Sequence, residues 1–328
     1  MTITTGITRM LGIDHPVVQG GMMWVGRPEL VAAISNAGGL GMLTALISPT
    51  AEDLRGEIAR TRALTDKPFG VNLTLLPVGR APDYPALRKV IVESGVTIVE
   101  TAGHSPHEHI ADLKSHGVTV IHKCTSVRHA LSAERMGADI VTIDGFECAG
   151  HPGEDDVGGI VLIPAAVDRL SIPVLGCGGF ADGRGLAAAL ALGAQGITMG
   201  TRFCATVEAP IHDKVKQVIL GNDERDTRLI LRGFKNTGRV AYTSVSAKVV
   251  ALSAQPDVDF ETLRPYVAGE HGRRALETGD IEQGLVWAGQ SQGLIHDIPT
   301  CVALVSRIVE EAEAVIARSA SSVSVYSP

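Results

Sequence analysis

The sequence IVTIDGFECAGHPGED, from Ile140 to Asp155, decides the fold class. Its first four residues are apolar and typical of a buried strand, and they run directly into a glycine-rich loop with one histidine and several carboxylates. Two similar transitions follow, PVLGCGGFADGRG at positions 173–185 and GITMGTRF at positions 196–203. Consecutive strands that end in glycine and polar loops are typical of the carboxyl-terminal face of a β/α barrel, where such proteins carry their functional groups.

Upstream, five further apolar runs alternate with amphipathic segments, which gives eight strand–helix units in all. Strands that are apolar throughout indicate a parallel sheet covered on both faces. A doubly wound open sheet is the alternative, but eight regular units favour closure. We therefore predict an α/β protein, a (β/α)8 TIM barrel.

The regular alternation stops from about Ala209 to Gln283, where no strand is convincing. We predict residues 1–208 and 284–328 to form the barrel, and residues 209–283 to form a small, mostly helical lid or substrate subdomain. Its apolar positions look too sparse for an independent core.

Composition excludes several classes of protein. The net charge of −7 argues against a nucleic-acid partner. The sequence has no run of about 18 apolar residues, so we predict no membrane span. The amino-terminal residues lack the features of a signal peptide. Five scattered cysteines without a Cys-x-x-Cys pair argue against a disulfide framework or a zinc site, so we expect a cytoplasmic protein with no metal. The oligomeric state stays open between monomer and homodimer.

Glycines at the ends of strands seven and eight predict a phosphate site. Gly178, Gly179 and Gly200 leave backbone N–H groups uncovered, Thr201 adds a hydroxyl, and the helix after Asp182 adds a favourable dipole. Tight strand–helix packing is the alternative for a single pair of glycines. The segment GCGGFA at 176–181 fits a relaxed dinucleotide fingerprint, but the next strand ends without a carboxylate, so we reject that interpretation.

Polar side chains at other strand ends predict a site for a ring with donors and acceptors. Lys123 ends strand five, where it either faces an anion or an electron-rich ring or forms a salt bridge with Glu100, Asp144 or Glu147. Asn72 and Thr74 end strand three and offer amide and hydroxyl groups.

His151 is the candidate for catalysis. Gly150 and Gly153 flank it and Pro152 stiffens its loop, as expected when a side chain must be aimed, although a solvated loop histidine is the alternative. An imidazole titrates near neutrality and can act as a base or donate a hydrogen bond to a developing oxyanion. We interpret the carboxylates from Glu154 to Asp156 as a cap for the next helix and not as metal ligands.

Several motifs together resemble the nitronate monooxygenase family over nearly the whole chain. They are QGGM at 19–22, AGGLG at 37–41, VNLT at 71–74, HKC at 122–124, ECAGH at 147–151, GGFADGRG at 178–185 and MGTRF at 199–203. The strings GMMWVG at 21–26, NLTLLP at 72–77, ETAG at 100–103 and HPGED at 151–155 look like its bacterial branch of NADH:quinone reductases. The sequence NTGR at 236–239 departs at Gly238 from the commoner Asn-Thr-Ala-Arg.

The resemblance implies a flavoprotein with tightly but noncovalently bound FMN. Residues around the isoalloxazine would be Gly21, Met22, Thr44, Asn72 or Thr74, and Lys123, whereas Gly150, Gly178, Gly179, Gly200 and Thr201 would hold the ribityl phosphate. His151 would stand near the reactive edge. Met22, Met23, Trp24 and the lid would form the walls of the site for the second substrate, and Pro77 with its neighbours would gate it.

The implied activity is a ping-pong oxidoreductase reaction, in which NADH reduces the FMN and a quinone then takes the electrons. Oxidation of alkyl nitronates with dioxygen is the alternative within the family, and reduction of an enoyl thioester comes third. A phosphate-binding barrel without flavin is the alternative from another class.

Overall fold

A computed structural model describes residues 3–75 and 82–322, and eight parallel strands within them form the barrel. The strands are β1 (Val17–Gln19), β2 (Gly41–Thr44), β3 (Phe69–Leu75), β4 (Ile98–Gly103), β5 (Thr119–Cys124), β6 (Ile140–Asp144), β7 (Val174–Cys177) and β8 (Ile197–Met199). Their order around the sheet is β1-β8-β7-β6-β5-β4-β3-β2. The TIM barrel predicted from the sequence is confirmed.

The barrel closes between β1 and the residue before β2. The backbone N–H of Gln19 donates to the carbonyl of Leu40 at 2.9 Å, and the N–H of Leu40 donates to the carbonyl of Val17 at 3.0 Å. Because these bonds join the first and second strands, the open-sheet alternative is excluded.

Helices surround the barrel and cover its amino-terminal end. They are α1 (Gly6–Leu11), α2 (Pro28–Asn36), α3 (Ala51–Leu64), α4 (Tyr84–Glu93), α5 (His107–Ser115), α6 (Val127–Arg135), α7 (Gly159–Val167), α8 (Gly183–Ala191), α9 (Thr201–Cys204) and, at the carboxyl-terminal end of the described chain, α14 (Cys301–Ser322). Ile7 and Leu11 of α1 pack with Val18, Ile121 and other inward-facing strand residues in one buried cluster. This cluster fills the barrel interior, which leaves the opposite, carboxyl-terminal end for the functional groups.

The segment between α9 and α14 contains α10 (Asp213–Gly221), α11 (Ser244–Ser253), α12 (Phe260–Val267) and α13 (Gly269–Thr278). It also contains an antiparallel hairpin of β9 (Thr227–Ile230) and β10 (Gly238–Ala241). The expectation of no strand in this segment is therefore wrong. The two strands are four residues long and carry an arginine each, so they lack the continuous apolar pattern that marked the barrel strands.

The hairpin and helices bury a small apolar cluster of their own, made of Ile230, Leu231, Val240, Val245, Val249, Leu263 and Leu285. By contrast, Val215 and Ile219 of α10 belong to the main cluster between barrel and helices. The division at residues 208 and 283 remains a prediction. None of the described helices is both long and apolar enough to cross a membrane.

Candidate active site

A cavity of about 630 Å³ opens at the carboxyl-terminal ends of the barrel strands. Six of the residues predicted from the sequence line it, namely Gly21, Asn72, Thr74, Lys123, Gly150 and His151. Glu100, Asp144 and Thr237 also line it, although the sequence analysis did not assign them to the site. The volume is within the range of small-molecule sites.

Glu100 joins the loop after β1 to the end of β3. Its Oε1 accepts a hydrogen bond from the backbone N–H of Gly21 at 2.9 Å and another from Nδ2 of Asn72 at 2.8 Å. Oδ1 of Asn72 accepts from the hydroxyl of Thr74 at 2.9 Å. Gly21 must be glycine, since a Cβ there would lie 2.2 Å from Cγ of Asn72. A fully buried carboxylate thus fixes three of the predicted positions.

Lys123 lies between two carboxylates at the floor of the cavity. Its Nζ is 3.8 Å from Oε2 of Glu100, so one of the salt bridges considered from the sequence is present. Burial alone would lower the pKa of the ammonium, but the charges of Glu100 and Asp144 outweigh it and raise the pKa of Lys123 above its usual value. Lys123 therefore stays protonated at neutral pH.

Asp144, at the end of β6, is the second carboxylate. Burial raises the pKa of its side chain, and the charge of Lys123 opposes that rise. Over residues 3–75 and 82–322, Oδ1 of Asp144 and Oε2 of Glu100 have no hydrogen-bond partner. Buried acceptors of this kind are costly unless a ligand or ordered water supplies the donors.

Apart from Gly21, the loop after β1 lies outside the lining of the cavity. Thr44 Oγ1 donates to the carbonyl of Met22 at 3.0 Å, and the N–H of Met22 approaches the same hydroxyl at 3.3 Å. Trp24 has a φ of +67°, in the region that favours glycine, and this conformation is held because the N–H groups of Val25 and Gly26 both donate to Met22. Met23 is exposed.

Trp24 also contacts the subdomain, because the guanidinium of Arg273 lies 4.5 Å from its ring centroid. The predicted substrate residues Met23 and Trp24 are thus separate from the lining of the cavity. Pro77, the third, lies outside the described residues.

The predicted phosphate loops leave the same end of two paired strands. Cys177 and Thr198 are partners in the register of β7 and β8, so the loops at Gly178 and Gly200 are neighbours. Gly178 and Gly179 have φ values of +85° and +84°, and a Cβ on Gly178 would lie 2.7 Å from the carbonyl oxygen of Gly145. Gly200 lies beside Sδ of Met22, and Thr201 Oγ1 accepts from the N–H of Gly289 at 3.0 Å. These residues form a second group, outside the lining of the main cavity.

His151 stands exposed at the rim of the cavity, on a loop whose backbone needs glycine at two positions. Gly150 and Gly153 have φ values of +81° and +82°, which explains both flanking glycines. The atoms around the imidazole lower its pKa by desolvation, and the nearby Glu154 carboxylate opposes this. His151 is therefore neutral at pH 7, a state that can donate or accept a hydrogen bond.

The carboxylates after His151 do not cap the next helix. The N–H of Gly159, at the start of α7, donates to both oxygens of Glu147 at 3.1 and 3.0 Å, so Glu147 has that role. Glu154 instead accepts from the N–H and hydroxyl of Thr237 at 2.9 and 2.5 Å. The helix-cap interpretation of residues 154–156 is wrong, because none of them caps α7, and Glu154 and Asp156 pair with Thr237 and Arg232 of the hairpin instead.

Arg239 makes the strongest connection between the hairpin and the loop of His151. It is almost fully buried, its Nε and Nη2 donate to the carbonyl of Phe146 at 3.2 and 2.9 Å, and its Nη1 donates to Thr227 at 2.7 Å. Backbone bonds join Arg239 and Gly150 in both directions. The NTGR sequence thus places Thr237 and Arg239 against the site loop, a role that the sequence did not reveal.

An eight-stranded parallel barrel with a polar cavity at the carboxyl-terminal end defines a β/α-barrel enzyme. The chain belongs to the nitronate monooxygenase family, whose model matches residues 4–311. Members of this family are flavin-dependent, and the protein is an oxidoreductase. No cluster of three or more metal-ligating side chains occurs in the described ranges.

Individual relatives extend over the same length. The chain is 35% identical to a (3aS,4S,5R,7aS)-5-hydroxy-7a-methyl-1-oxo-octahydro-1H-indene-4-carboxyl-CoA dehydrogenase of Rhodococcus jostii, with 95% of this chain and 96% of the relative covered. It is 32% identical to a nitronate monooxygenase of Paraburkholderia phytofirmans, with 91% and 93% covered. The solved structure of FabK from Thermotoga maritima superposes with a TM-score of 0.91 at 37% identity and covers 98% of this chain and all of FabK.

Proposed function

We propose that this protein binds FMN at the barrel mouth, oxidises NADH and passes the electrons to a quinone. One observation carries the proposal. The four strings that resemble the NADH:quinone reductase branch each contribute to one cavity, with Gly21 from the first, Asn72 from the second, Glu100 from the third and His151 from the fourth. Two strands and two loops therefore supply the residues of a single site.

The residues at the mouth fit a flavin. Glu100 and Asp144 each have a buried oxygen that accepts no hydrogen bond from the described residues. An N–H group of a bound ring or an ordered water could supply the donor. Lys123 stays protonated, so its ammonium would hold the electron-rich part of the ring.

The glycine loops fit a phosphate. Gly178 and Gly179 adopt left-handed conformations in which no Cβ covers their backbone N–H groups, and α8 begins shortly after them. We propose that these glycines, with Gly200 and Thr201, hold the phosphate of FMN. Residues 3–75 and 82–322 offer one such site and no second fold for an adenosine half, which favours FMN over FAD.

When bound, FMN would accept a hydride equivalent from NADH and release the electrons to the second substrate. The chain's own residues then have distinct roles. His151, neutral at the rim, would donate a hydrogen bond to the acceptor oxygen as charge develops there.

The cofactor is tested by heating the purified protein and identifying the released flavin by chromatography. We expect stoichiometric FMN in the supernatant, because nothing in the proposal calls for a covalent link. FAD, or a colourless protein, would contradict this part of the proposal and favour a barrel without flavin.

Oxidation of nitronates is the second candidate, since relatives about 30% identical are named nitronate monooxygenases. An acceptor panel separates the two. With NADH and a benzoquinone under nitrogen, we expect rapid NADH oxidation; with ethyl nitronate and oxygen but no NADH, we expect little turnover. The reverse pattern would contradict the quinone reductase proposal. An enoyl-CoA ester in the same panel tests the thioester alternative, since one relative is named as a dehydrogenase of a carboxyl-CoA compound.

A further inference from the structure

Trp287 contacts the candidate catalytic histidine from outside the cavity. The ring centroids of His151 and Trp287 are 5.6 Å apart, and the rings are tilted by 34°. His151 lines the cavity, whereas Trp287 is absent from its described lining. The indole therefore contacts the imidazole from a position outside the lining of the cavity.

Gly238 of β10 provides the space for the indole. A Cβ at position 238 would lie 3.0 Å from Cζ3 and 3.2 Å from Cη2 of Trp287, closer than ordinary van der Waals contact. Glycine at position 238 leaves room for the indole, which a larger side chain would displace. Gly238 and Trp287 are a complementary pair.

Strand β10 also fixes the backbones that carry both rings. The N–H of Gly150, directly before His151, donates to the carbonyl of Arg239 at 3.2 Å, and the N–H of Arg239 donates back at 2.6 Å. The N–H of Ala241 donates to the carbonyl of Val286, directly before Trp287, at 2.8 Å. One short strand thus sets the separation of the two rings.

We propose that Trp287, seated on Gly238, is a positioning residue that holds the imidazole of His151 in its orientation at the cavity rim. The ring contact restricts the side-chain torsions of a histidine that is otherwise exposed, and the indole excludes water from one face of the imidazole. The consequence for turnover rests on the proposed function, but the positioning itself does not. Without the indole, His151 would sample several rotamers and become hydrated like a surface histidine.

The test observes His151 directly, by NMR of the flavin-loaded protein with labelled histidine rings. A spectrum of His151→Gln assigns its signals. In Trp287→Leu we expect the His151 signals to move towards those of a solvated histidine and its titration midpoint to rise, while Trp287→Phe retains most of the wild-type position. Glu154 and Lys235, the charged residues of the loop and hairpin that line the cavity with His151, are unchanged in each variant.

Tyr242→Leu is the matched control, because it removes an exposed aromatic ring of the same subdomain. The Tyr242 ring packs against Arg228 and not against His151. The His151 signals of this variant should match the wild type. Gly238→Ala provides a second route that keeps the indole: the added methyl should displace Trp287 by a few tenths of an ångström and shift the same signals to a smaller extent.

Turnover separates this inference from the proposed function. In Trp287→Leu the electron transfer to quinone should slow by roughly tenfold or more, because misaligned groups lose much of their catalytic effect. If the His151 signals move but His151→Gln turns over at the wild-type rate, the positioning stands and the proposed role of His151 is wrong. If the His151 signals stay in place in both Trp287→Leu and Gly238→Ala, the inference is overturned. If the leucine variant does not fold, Gly238→Ala alone carries the test, and unmoved His151 signals in that variant overturn the inference.

Discussion

Oε2 of Glu100 lies 3.8 Å from Nζ of Lys123 at the mouth of the barrel, while Oε1 of the same carboxylate takes the hydrogen bonds from Gly21 and Asn72. Each oxygen thus has a separate role. Oε1 holds Gly21 and Asn72 in place, and Oε2 balances the charge of the Lys123 ammonium. Because Glu100 is fully buried, removing its partner would leave an uncompensated charge.

Lys123→Met should therefore lower the free energy of unfolding by about 3 kcal/mol and weaken FMN retention or lower the reduction potential of the bound flavin. Chemical denaturation, flavin content and a potentiometric titration measure the three effects. Glu100→Gln combined with Lys123→Met is the matched control. It removes the unpaired negative charge of Glu100 and keeps an acceptor for Gly21 and Asn72. It should recover stability but not the flavin properties. Unchanged flavin content and potential in Lys123→Met would make Lys123 a purely structural ion-pair partner.

His151→Ala should keep its flavin and lose most of the electron transfer to the acceptor, roughly a hundredfold or more, because the imidazole is expected to act only after the flavin is reduced. Stopped-flow measurement of each half-reaction checks this. His116→Ala is a suitable control, since His116 is exposed and follows the end of α5, at the opposite face of the barrel. Wild-type rates for both half-reactions in His151→Ala would remove the histidine from the mechanism.

His122 should make stability depend on pH in mildly acidic solution. Burial lowers the pKa of its imidazole from the usual 6.5 to about 4, and Nδ1 forms a hydrogen bond with Thr101 at 2.8 Å. Below pH 6.5 the unfolded chain therefore binds a proton that the folded protein excludes until about pH 4. The stabilisation is complete above the unfolded pKa and is lost as the pH falls.

Between pH 7.5 and pH 5 this residue should cost about 2 kcal/mol of unfolding free energy. Denaturant titrations of the wild type and His122→Asn at the two pH values isolate that contribution, because asparagine can keep the bond to Thr101 without titrating. We expect a smaller pH-dependent loss in the variant. Equal losses would mean that His122 is protonated equally in both states.

The sequence predicted the barrel well because its signal is local. Val141 and Ile143 belong to a run that is apolar on both faces, and Gly178 is required by the conformation of its own backbone. Neither property depends on a distant part of the chain. The same holds for Gly150 and Gly153 beside His151.

The missing features depend on distant partners. Glu154 finds Thr237, which is 83 positions away, and no local pattern distinguishes that contact from a helix cap. Arg239 lies in a four-residue strand that lacks the continuous apolar pattern of the barrel strands. Its buried contact with Phe146 was therefore not predicted. Lys123 had three candidate partners, and only the fold chooses Glu100 among them.

The segment 209–283, expressed alone, should be largely unfolded. Its small apolar cluster includes Leu285, which lies beyond the segment, and Val215 and Ile219 pack into the core of the barrel. Calorimetry of the fragment should give no cooperative transition, whereas the complete chain should melt cooperatively. A sharp transition for the fragment would make it an independent domain.

NADH should reduce an FMN that is bound by this chain. The most direct test mixes the purified, flavin-loaded protein with NADH under anaerobic conditions and follows the flavin absorbance. We predict rapid, complete bleaching on mixing, followed by return of the yellow colour when a quinone is added. A flavin that stays oxidised in the presence of excess NADH would contradict the claim.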